Sequence, residues 1–217
     1  MNMGYKMAIF DLDGVLVDTA KYHYLAWKKL ADQLGIDFTH EHNERLKGVS
    51  REQSLEFLLE AGNLEHAFSK GQKRAMAKEK NEHYVTYIHQ LTQEDLLPGS
   101  KELLLDLRSR GIKTGLGSAS KNAPTILNRL GITELFDVII DGNSTQRAKP
   151  DPEVFLLGAQ ALNLVPVDCI VFEDAQAGID AALAAGMAVI AVGSPQFLQG
   201  ADIYVADLSD ERIRKMI

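Results

Sequence analysis

The segment Met7-Ala8-Ile9-Phe10-Asp11-Leu12-Asp13-Gly14 is the strongest indication of both the fold and the chemistry of this chain. Its apolar opening predicts a buried strand, and two carboxylates follow where that strand ends. Side chains two positions apart in extended backbone face the same side, so Asp11 and Asp13 address one small volume. Two like charges that close favour a bound cation or a raised pKa on one of them. The pair therefore predicts a catalytic or metal-binding site, and an Asp-rich turn at a helix start is the alternative.

Further apolar runs of strand length recur along the chain, and helical patterns separate most of them. Leu103, Leu104 and Leu107, for example, repeat at helical spacing before Gly111. Alternation of this kind predicts an α/β fold, with a Rossmann-like parallel sheet and helices on both of its faces. Ligands of such sheets collect at the carboxyl ends of the strands. The predicted strands cover residues 7–10, 112–117, 138–140, 169–172, 188–192 and 203–205.

Residues 18–95 interrupt the alternation. Apolar residues including Trp27 and Leu30 keep helical spacing up to Gly35, and no convincing strand occurs in the segment. Pro98-Gly99 marks the return to the alternating pattern. We therefore predict an inserted all-helical domain, called the cap below. The predicted domains are an α/β catalytic core of residues 1–17 and 96–217 and a cap of residues 18–95.

Composition narrows the class of protein. The formal net charge of −7 argues against a nucleic-acid partner, whose binding surface would be basic. No signal-peptide pattern opens the chain, and no apolar run approaches the length of a membrane span. The single Cys169 excludes an internal disulfide. We expect a cytoplasmic protein, without a membrane partner, that binds a small molecule and acts as a monomer.

Two motifs later in the chain suit phosphate binding. Ser118 follows the predicted strand 112–117 and precedes a helical pattern, so its hydroxyl and the free N–H groups of a first helical turn could bind a phosphate. A helix N-cap by Ser120 is the alternative. Lys149 lies beside two prolines that stiffen the backbone and would fix its ammonium group next to a transferring phosphate. A solvated turn is the alternative there.

Glu173 and Asp174 follow the predicted strand 169–172, as Asp11 and Asp13 follow the first strand. Carboxylates at the ends of two strands form an oxygen-only ligand set, which suits Mg²⁺. Adjacent acidic residues are also common at helix starts, where they complement the helix dipole.

Within the cap, Leu46-Lys47-Gly48-Val49-Ser50-Arg51-Glu52 is the segment most relevant to the substrate. Gly48 permits a tight loop between Lys47 and Arg51, and guanidinium groups match phosphate oxygens in pairs. A solvated loop is the alternative interpretation of the same residues.

These motifs, in this order, resemble the signatures of the haloacid dehalogenase superfamily of phosphoryl-transfer enzymes, from about residue 7 to about residue 205. The run Ser118-Ala119-Ser120-Lys121-Asn122, the Glu173-Asp174 pair and the cap loop are most similar to the β-phosphoglucomutase subfamily. One departure is Ala175, where many relatives carry Ser.

The resemblance implies a mutase that interconverts β-D-glucose 1-phosphate and β-D-glucose 6-phosphate through an aspartyl-phosphate and a glucose 1,6-bisphosphate. Asp11 would be the nucleophile, Asp13 the proton donor and acceptor, and Ser118 and Lys149 would hold the transferring phosphoryl group. A Mg²⁺-dependent sugar-phosphate phosphatase on the same scaffold and a non-catalytic sugar-phosphate-binding protein are the alternatives.

The resemblance also implies a set of ligands for the metal and for the substrate. The Mg²⁺ ligands would be Asp11, the backbone carbonyl of Asp13 and Asp174, with Glu173 as a further candidate. The implied substrate-binding residues are Thr19, His23, Trp27, Lys47, Gly48, Val49, Ser50, Arg51, Ser54, Lys80, Ala119, Ser120, Lys121 and Asn122.

Overall fold

The first apolar run forms the central strand of a six-stranded parallel sheet, β3-β2-β1-β4-β5-β6. The computed structural model describes residues 4–217, so residues 1–3 of the predicted core lie outside the described residues. The predicted α/β class is confirmed. The strands are β1 Met7–Phe10, β2 Lys113–Gly117, β3 Val138–Ile140, β4 Cys169–Glu173, β5 Ala188–Val192 and β6 Ile203–Val205.

Helices cover both faces of this sheet. Ala8 and Phe10 of β1 pack into the hydrophobic cluster on one face, whereas Met7 and Ile9 pack into the cluster on the other. A strand buried on both faces consists of consecutive apolar residues, which is why β1 could be predicted. The helices that follow the cap are α5 Ser100–Ser109, α6 Ala123–Leu130, α7 Glu153–Ala161, α8 Gln176–Ala184 and α9 Glu211–Met216.

The strand order reverses around β1, which pairs with β2 on one side and with β4 on the other. In parallel sheets, ligands bind outside the carboxyl ends of the strands at such a switch point. The motifs that follow β1, β2 and β4 therefore meet at one edge of the sheet.

Two strand boundaries differ from the predicted ones. β2 begins at Lys113 rather than Ile112, because the Ile112 N–H donates to the Leu107 carbonyl (3.0 Å) and closes the end of α5. β4 continues through Glu173, which pairs with Ala191 of β5. The first acidic residue of the Glu173-Asp174 pair is thus held by the sheet itself.

The glycines of β2 serve packing. A Cβ on Gly117 would lie 2.8 Å from Cε1 of Phe155 in α7, and one on Gly115 would overlap the end of Met7. These positions are small because a helix and a neighbouring strand pack closely against them.

The segment between β1 and α5 is helical, as the spacing predicts. It has its own hydrophobic cluster, which includes Trp27, Leu30, Phe38 and Leu58. This separate cluster supports the predicted cap, whose boundaries remain a prediction. Its helices are α1 Ala20–Leu34, α2 His40–Glu44, α3 Arg51–Ala61 and α4 Lys70–Ile88.

The two connections between core and cap lie side by side. Val17 forms an antiparallel bridge with Leu96, and the Leu97 N–H donates to the Leu16 carbonyl (3.0 Å). Paired connections of this kind give the cap a narrow attachment above the carboxyl edge of the sheet. Within residues 4–217, the structure contains no helix long and apolar enough to cross a membrane.

Candidate active site

Asp11 lies at the carboxyl end of β1, at the base of the cleft between core and cap. Its backbone N–H donates to the Phe172 carbonyl (2.9 Å), which continues the pairing of β1 with β4 past the end of the strand. Its side chain is buried, and Oδ1 accepts a hydrogen bond from Lys149 Nζ (2.6 Å). Asp11 is thus fixed by both its backbone and its carboxylate.

Gly14 lets the turn after Asp13 pass close to the second acidic pair. Its φ of 85° is in the left-handed region, and a Cβ there would overlap the Asp174 carboxylate. A glycine at this position brings the loop after β1 and the loop after β4 together.

Lys149 is a buried cation between two buried carboxylates. Its side chain is 1% exposed, and Nζ donates to both Asp11 and Glu173. Burial alone would lower the pKa of Lys149, but the two carboxylates outweigh burial and raise it. Lys149 therefore stays charged, and it neutralises part of the negative charge around Asp11.

Asp11, Glu173 and Asp174 form an oxygen-rich cluster. One carboxylate oxygen from each residue lies within 4.8 Å of the other two. Burial, and then the charges of Glu173 and Asp11, raise the pKa of Asp174 well above its usual value. Carboxylates that repel one another in this way fit a hard divalent cation, which would relieve the repulsion.

Glu173 differs from the other two members of this cluster because protein donors already bind both of its oxygens. Oε1 accepts from Lys149, and Oε2 accepts from the backbone N–H groups of Asp174 (3.1 Å) and Ala175 (3.2 Å). Burial raises its pKa to about 7, although Lys149 opposes the shift. Glu173 is therefore best placed to hold Lys149 and the 174–175 turn, and Asp11 and Asp174 are the more available ligands.

The segment after β2 forms a polar turn above the same edge of the sheet. Ser118 is buried, and its Oγ accepts from the Ser120 N–H (3.1 Å). Ser120 Oγ accepts in turn from the Asn122 N–H (3.2 Å), and α6 begins only at Ala123 with Asn122 in the N-cap position. The alternative of an N-cap by Ser120 is therefore wrong, because the helix begins two residues later than that reading requires.

Asp13 faces the cleft from the other side of the turn. Its side chain is 26% exposed, and it accepts a hydrogen bond from the Thr19 hydroxyl. Burial and then the charge of Asp11 raise its pKa to about 6, against the opposing effect of Thr19. A carboxyl group with a pKa near neutrality can both donate and accept a proton, which suits general acid–base catalysis.

His23 of α1 links Asp13 to the cap. Its Nδ1 lies 3.0 Å from Lys80 Nζ, and its Nε2 lies 4.0 Å from Asp13 Oδ1. Burial, and then the charges of Lys80 and Arg51, lower the pKa of His23 well below its usual value. A neutral imidazole that accepts from Lys80 at Nδ1 carries its proton on Nε2, on the side of Asp13.

Lys80 and Arg51 place two cations in the cap above the cleft. Lys80 is 2% exposed, and its Nζ lies 4.5 Å above the Trp27 ring. Burial and then the nearby Arg51 lower the pKa of Lys80 well below its usual value, and burial lowers the pKa of Arg51. Lys80 is buried, Arg51 is half-buried, and the charge of Arg51 disfavours that of Lys80, so this end of the cleft suits an anion.

The cap loop also touches the core beside the acidic cluster. A Cβ on Gly48, whose φ is 72°, would lie 3.0 Å from the Cβ of Ala175. Small residues on both sides therefore allow the loop to approach. Ala175, the departure noted in the sequence, contributes its N–H to Glu173 and a small side chain to this contact.

Most of the predicted site residues surround one cleft. Four have other surroundings: Thr19 is buried behind Asp13, Ser50 Oγ accepts from the Gln53 N–H (3.2 Å) at the start of α3, and Lys149 and Glu173 lie beneath Asp11. The predicted residues that line the cleft are Asp11, Asp13, His23, Trp27, Lys47, Gly48, Val49, Arg51, Ser54, Lys80, Ser118, Ala119, Ser120, Lys121, Asn122 and Asp174.

The sequence did not indicate several of the contacts around the cleft. Asn43 of the short helix α2 lines it, although nothing in the pattern of that helix marks this residue. Glu52 and Asn81 connect cap and core, since Lys121 Nζ lies 3.0 Å from Glu52 and the Asn122 amide donates to Asn81 (2.9 Å). Their partners are separated by long stretches of chain, so no local pattern could reveal these contacts.

Comparisons with known proteins agree with this geometry. A family model described as haloacid dehalogenase-like hydrolase matches residues 5–186. The chain is 48% identical over 205 residues to a β-phosphoglucomutase from Bacillus subtilis, covering 94% of this chain and 91% of that one. It is 33% identical over 181 residues to a phosphorylated carbohydrates phosphatase from Thermotoga maritima, covering 82% and 81% of the two chains.

A solved structure agrees with these sequence comparisons. A crystal structure of a β-phosphoglucomutase from Clostridium difficile matches with a TM-score of 0.93 at 47% sequence identity, covering 98% of this chain and 96% of that one. The cap and the core are therefore both included in the match.

Proposed function

The chain belongs to the haloacid dehalogenase-like hydrolase family, and on that premise we propose that it is a β-phosphoglucomutase. It interconverts β-D-glucose 1-phosphate and β-D-glucose 6-phosphate through an aspartyl-phosphate on Asp11 and a glucose 1,6-bisphosphate. Near-half identity to the Bacillus subtilis enzyme over most of both chains supports this activity over that of a phosphatase. The proposal includes Mg²⁺ as the cofactor and a monomer in the cytoplasm.

The observation that carries the proposal is a cleft with binding groups at both ends. Asp11 and Ser118 line its core end, and Arg51 and Lys80 line its cap end. A hexose bisphosphate has a phosphate for each end. A hydrolase that acts on one phosphate needs the core end alone, so the paired cations of the cap favour a substrate that spans the cleft.

The cations at the cap end are suited to a dianion. The Arg51 charge disfavours the charged form of Lys80, and the Asp13 carboxylate only partly offsets this. A phosphate beside them would favour the charged form of Lys80 and accept paired hydrogen bonds from the Arg51 guanidinium group. This end of the cleft therefore binds the phosphate that is not being transferred.

At the core end, Asp11 attacks the phosphorus of the sugar phosphate. Lys149 holds the nucleophile in place and remains charged near the phosphoryl oxygens, while the turn at Ser118 supplies a hydroxyl and backbone N–H groups. Mg²⁺, when bound by Asp11, Asp174 and the Asp13 carbonyl, would neutralise charge on the phosphoryl group. Lys149 alone cannot do so, because it already balances Asp11 and Glu173.

Asp13 moves the proton. When Asp11 attacks the sugar phosphate, Asp13 protonates the sugar oxygen that leaves the phosphorus. It later accepts the proton of the sugar hydroxyl that attacks the aspartyl-phosphate. A pKa of about 6 allows both forms near neutral pH. The bisphosphate must then exchange its two ends between core and cap, and a cap on a narrow double connection allows this movement.

We expect activity to require a divalent cation and Asp174→Ala to weaken its binding at least about tenfold, since a buried charged ligand is lost. Turnover measured against Mg²⁺ concentration gives the activation constant, and calorimetry measures Mg²⁺ binding without turnover. Asp180→Asn in α8, outside the cluster, is the control. Full activity after chelation of divalent ions would contradict the metal assignment.

We expect Arg51→Ala to lower kcat/KM for β-D-glucose 1-phosphate about 10- to 100-fold, because a hydrogen-bonded charge contact to the distal phosphate is lost. Phosphorylation of Asp11 by acetyl phosphate should change little, because this small donor does not reach the cap. Arg45→Ala is the matched control, since Arg45 is a cap arginine that pairs with Glu60 (3.1 Å). Equal losses with both donors would remove Arg51 from the distal site.

Product analysis tests the function directly. With β-D-glucose 1-phosphate, Mg²⁺ and a catalytic amount of the 1,6-bisphosphate, the protein should form glucose 6-phosphate faster than it releases phosphate. Stoichiometric release of inorganic phosphate without glucose 6-phosphate would identify a phosphatase instead.

A further inference from the structure

Tyr84 of α4 is a buried polar residue that the mechanism above leaves without a role. Its side chain is 0% exposed, and its hydroxyl has no hydrogen-bond partner within residues 4–217. Burial of a hydroxyl without a partner is unfavourable, and buried polar groups are normally satisfied. A phenylalanine would fill the same space without this cost, so the hydroxyl calls for an explanation.

The surroundings of Tyr84 belong to the proton-transfer part of the site. Its ring centroid lies 4.1 Å from that of His23, and Lys80 Nζ lies 4.9 Å from the ring centroid. Burial and then the Asp13 charge raise the pKa of Tyr84 well above its usual value, and Thr19 and Asp13 are the side chains near its hydroxyl, although neither is in hydrogen-bond geometry with it. The phenol therefore lies next to the hydrogen bond between Thr19 and Asp13 and stays protonated.

Asp13 needs different partners in the two halves of the proposed reaction. As an acid it donates its proton to the sugar oxygen and becomes a carboxylate, and as a base it begins as that carboxylate. Thr19, behind Asp13, donates to one of its oxygens, and His23 Nε2 is 4.0 Å away. A partly buried carboxylate is stabilised and oriented by each further donor, and the Tyr84 O–H is a donor at this place.

We propose that Tyr84 is a positioning residue for Asp13: its hydroxyl donates to the Asp13 carboxylate in the ionised form and aims the other oxygen at the sugar hydroxyl. The role rests on the mutase function proposed above. As the sugar oxygen forms its bond to phosphorus and the Asp11–phosphorus bond breaks, the sugar proton passes to Asp13, and Tyr84 keeps its own proton throughout. In this structure the Tyr84 hydroxyl lies beside Asp13 and has no hydrogen-bond partner within residues 4–217.

Tyr84→Phe tests the proposal because it removes only the hydroxyl. Loss of a hydrogen bond to a charged group should lower kcat for β-D-glucose 1-phosphate, with the bisphosphate present, about 10- to 100-fold at nearly constant KM. Phosphorylation of Asp11 by acetyl phosphate should stay within about twofold of wild type, because acetate leaves without needing a proton from Asp13. The melting temperature should be unchanged or higher, since the hydroxyl has no partner in the fold.

Tyr87→Phe is the matched control, because Tyr87 lies one turn further along α4 and stacks on Tyr22 rather than on His23. It should leave all three measurements unchanged. An unchanged kcat in Tyr84→Phe, or equal losses with acetyl phosphate and with the sugar phosphate, would overturn the proposal.

A failure of the proposed mutase function can be distinguished from a failure of the proposed role of Tyr84. If the wild-type protein releases phosphate from sugar phosphates and forms no glucose 6-phosphate, the proposed function is wrong. The ratio of Tyr84→Phe to wild type in that release still tests the role of Tyr84, since release also protonates a sugar oxygen at Asp13.

Discussion

Replacement of Asp11 by Asn should abolish sugar-phosphate turnover, by about 10⁴- to 10⁶-fold, the scale on which loss of a nucleophile acts in other enzymes. The amide has nearly the same shape but is a poor nucleophile, and it cannot hold a phosphoryl group as an acyl phosphate. Mass spectrometry after incubation with acetyl phosphate should show a phosphorylated wild-type protein and an unphosphorylated variant. Turnover in a coupled assay gives the size of the loss.

The fold should survive this substitution. Lys149 keeps its ion pair with Glu173, and the backbone bond from Asp11 to Phe172 does not depend on the side chain. The melting temperature of the variant checks this. Asp32→Asn on the exposed face of α1 is the control, because its partner Lys28 belongs to the same helix. Appreciable turnover by a folded Asp11→Asn protein would exclude Asp11 as the nucleophile.

The strands of the core could be predicted because each corresponds to a short, continuous pattern in the sequence. β1 and the first four residues of β4 are buried, unbroken apolar runs, and each run is followed at once by its carboxylates. Parallel pairing then brings these carboxylates together without any information about side-chain packing. The carboxylate cluster of Asp11, Glu173 and Asp174 thus follows from strand order and motif position.

The cap side of the site was less predictable because it depends on helix packing. Helical spacing shows which face of α1 or α4 is buried, but not which residue of one helix meets which residue of the other. Lys80 illustrates the difficulty: it lies in a run of charges typical of a solvated surface, yet packing places it against His23 and Trp27. Tyr84, one turn further on, carried no signal at all.

Glu173 shows a further limit of prediction from the sequence. The motif identifies an acidic residue at the end of β4, but whether that residue binds a metal or holds other side chains depends on its donors. In the structure both oxygens accept hydrogen bonds from Lys149 and from two backbone N–H groups. The Lys149 contact joins residues far apart in the chain, and the two N–H contacts depend on the local turn, so neither could be predicted from the acidic pair alone.

Asp13→Asn should be the second most damaging substitution, with a loss of about 10²- to 10⁴-fold, the usual contribution of general acid–base catalysis. The loss should fall on the steps that involve a sugar oxygen, because an amide cannot take up or release the proton. Acetyl phosphate should still phosphorylate Asp11 at nearly the wild-type rate. The variant should therefore accumulate as the aspartyl-phosphate, and β-D-glucose 1-phosphate should discharge it slowly.

Quenched-flow measurement of the phosphoenzyme, formed from acetyl phosphate and then mixed with β-D-glucose 1-phosphate, separates these steps. The double variant Asp11→Asn/Asp13→Asn is the control and should never acquire the phosphoryl group, which assigns it to Asp11. Since Asp13 also lies beside Thr19 and His23, a loss of structure there would slow both steps alike. Rapid discharge of the Asp13→Asn phosphoenzyme by the sugar phosphate would place the proton transfer on another group, and His23 Nε2, 4.0 Å from Asp13, would be the first candidate.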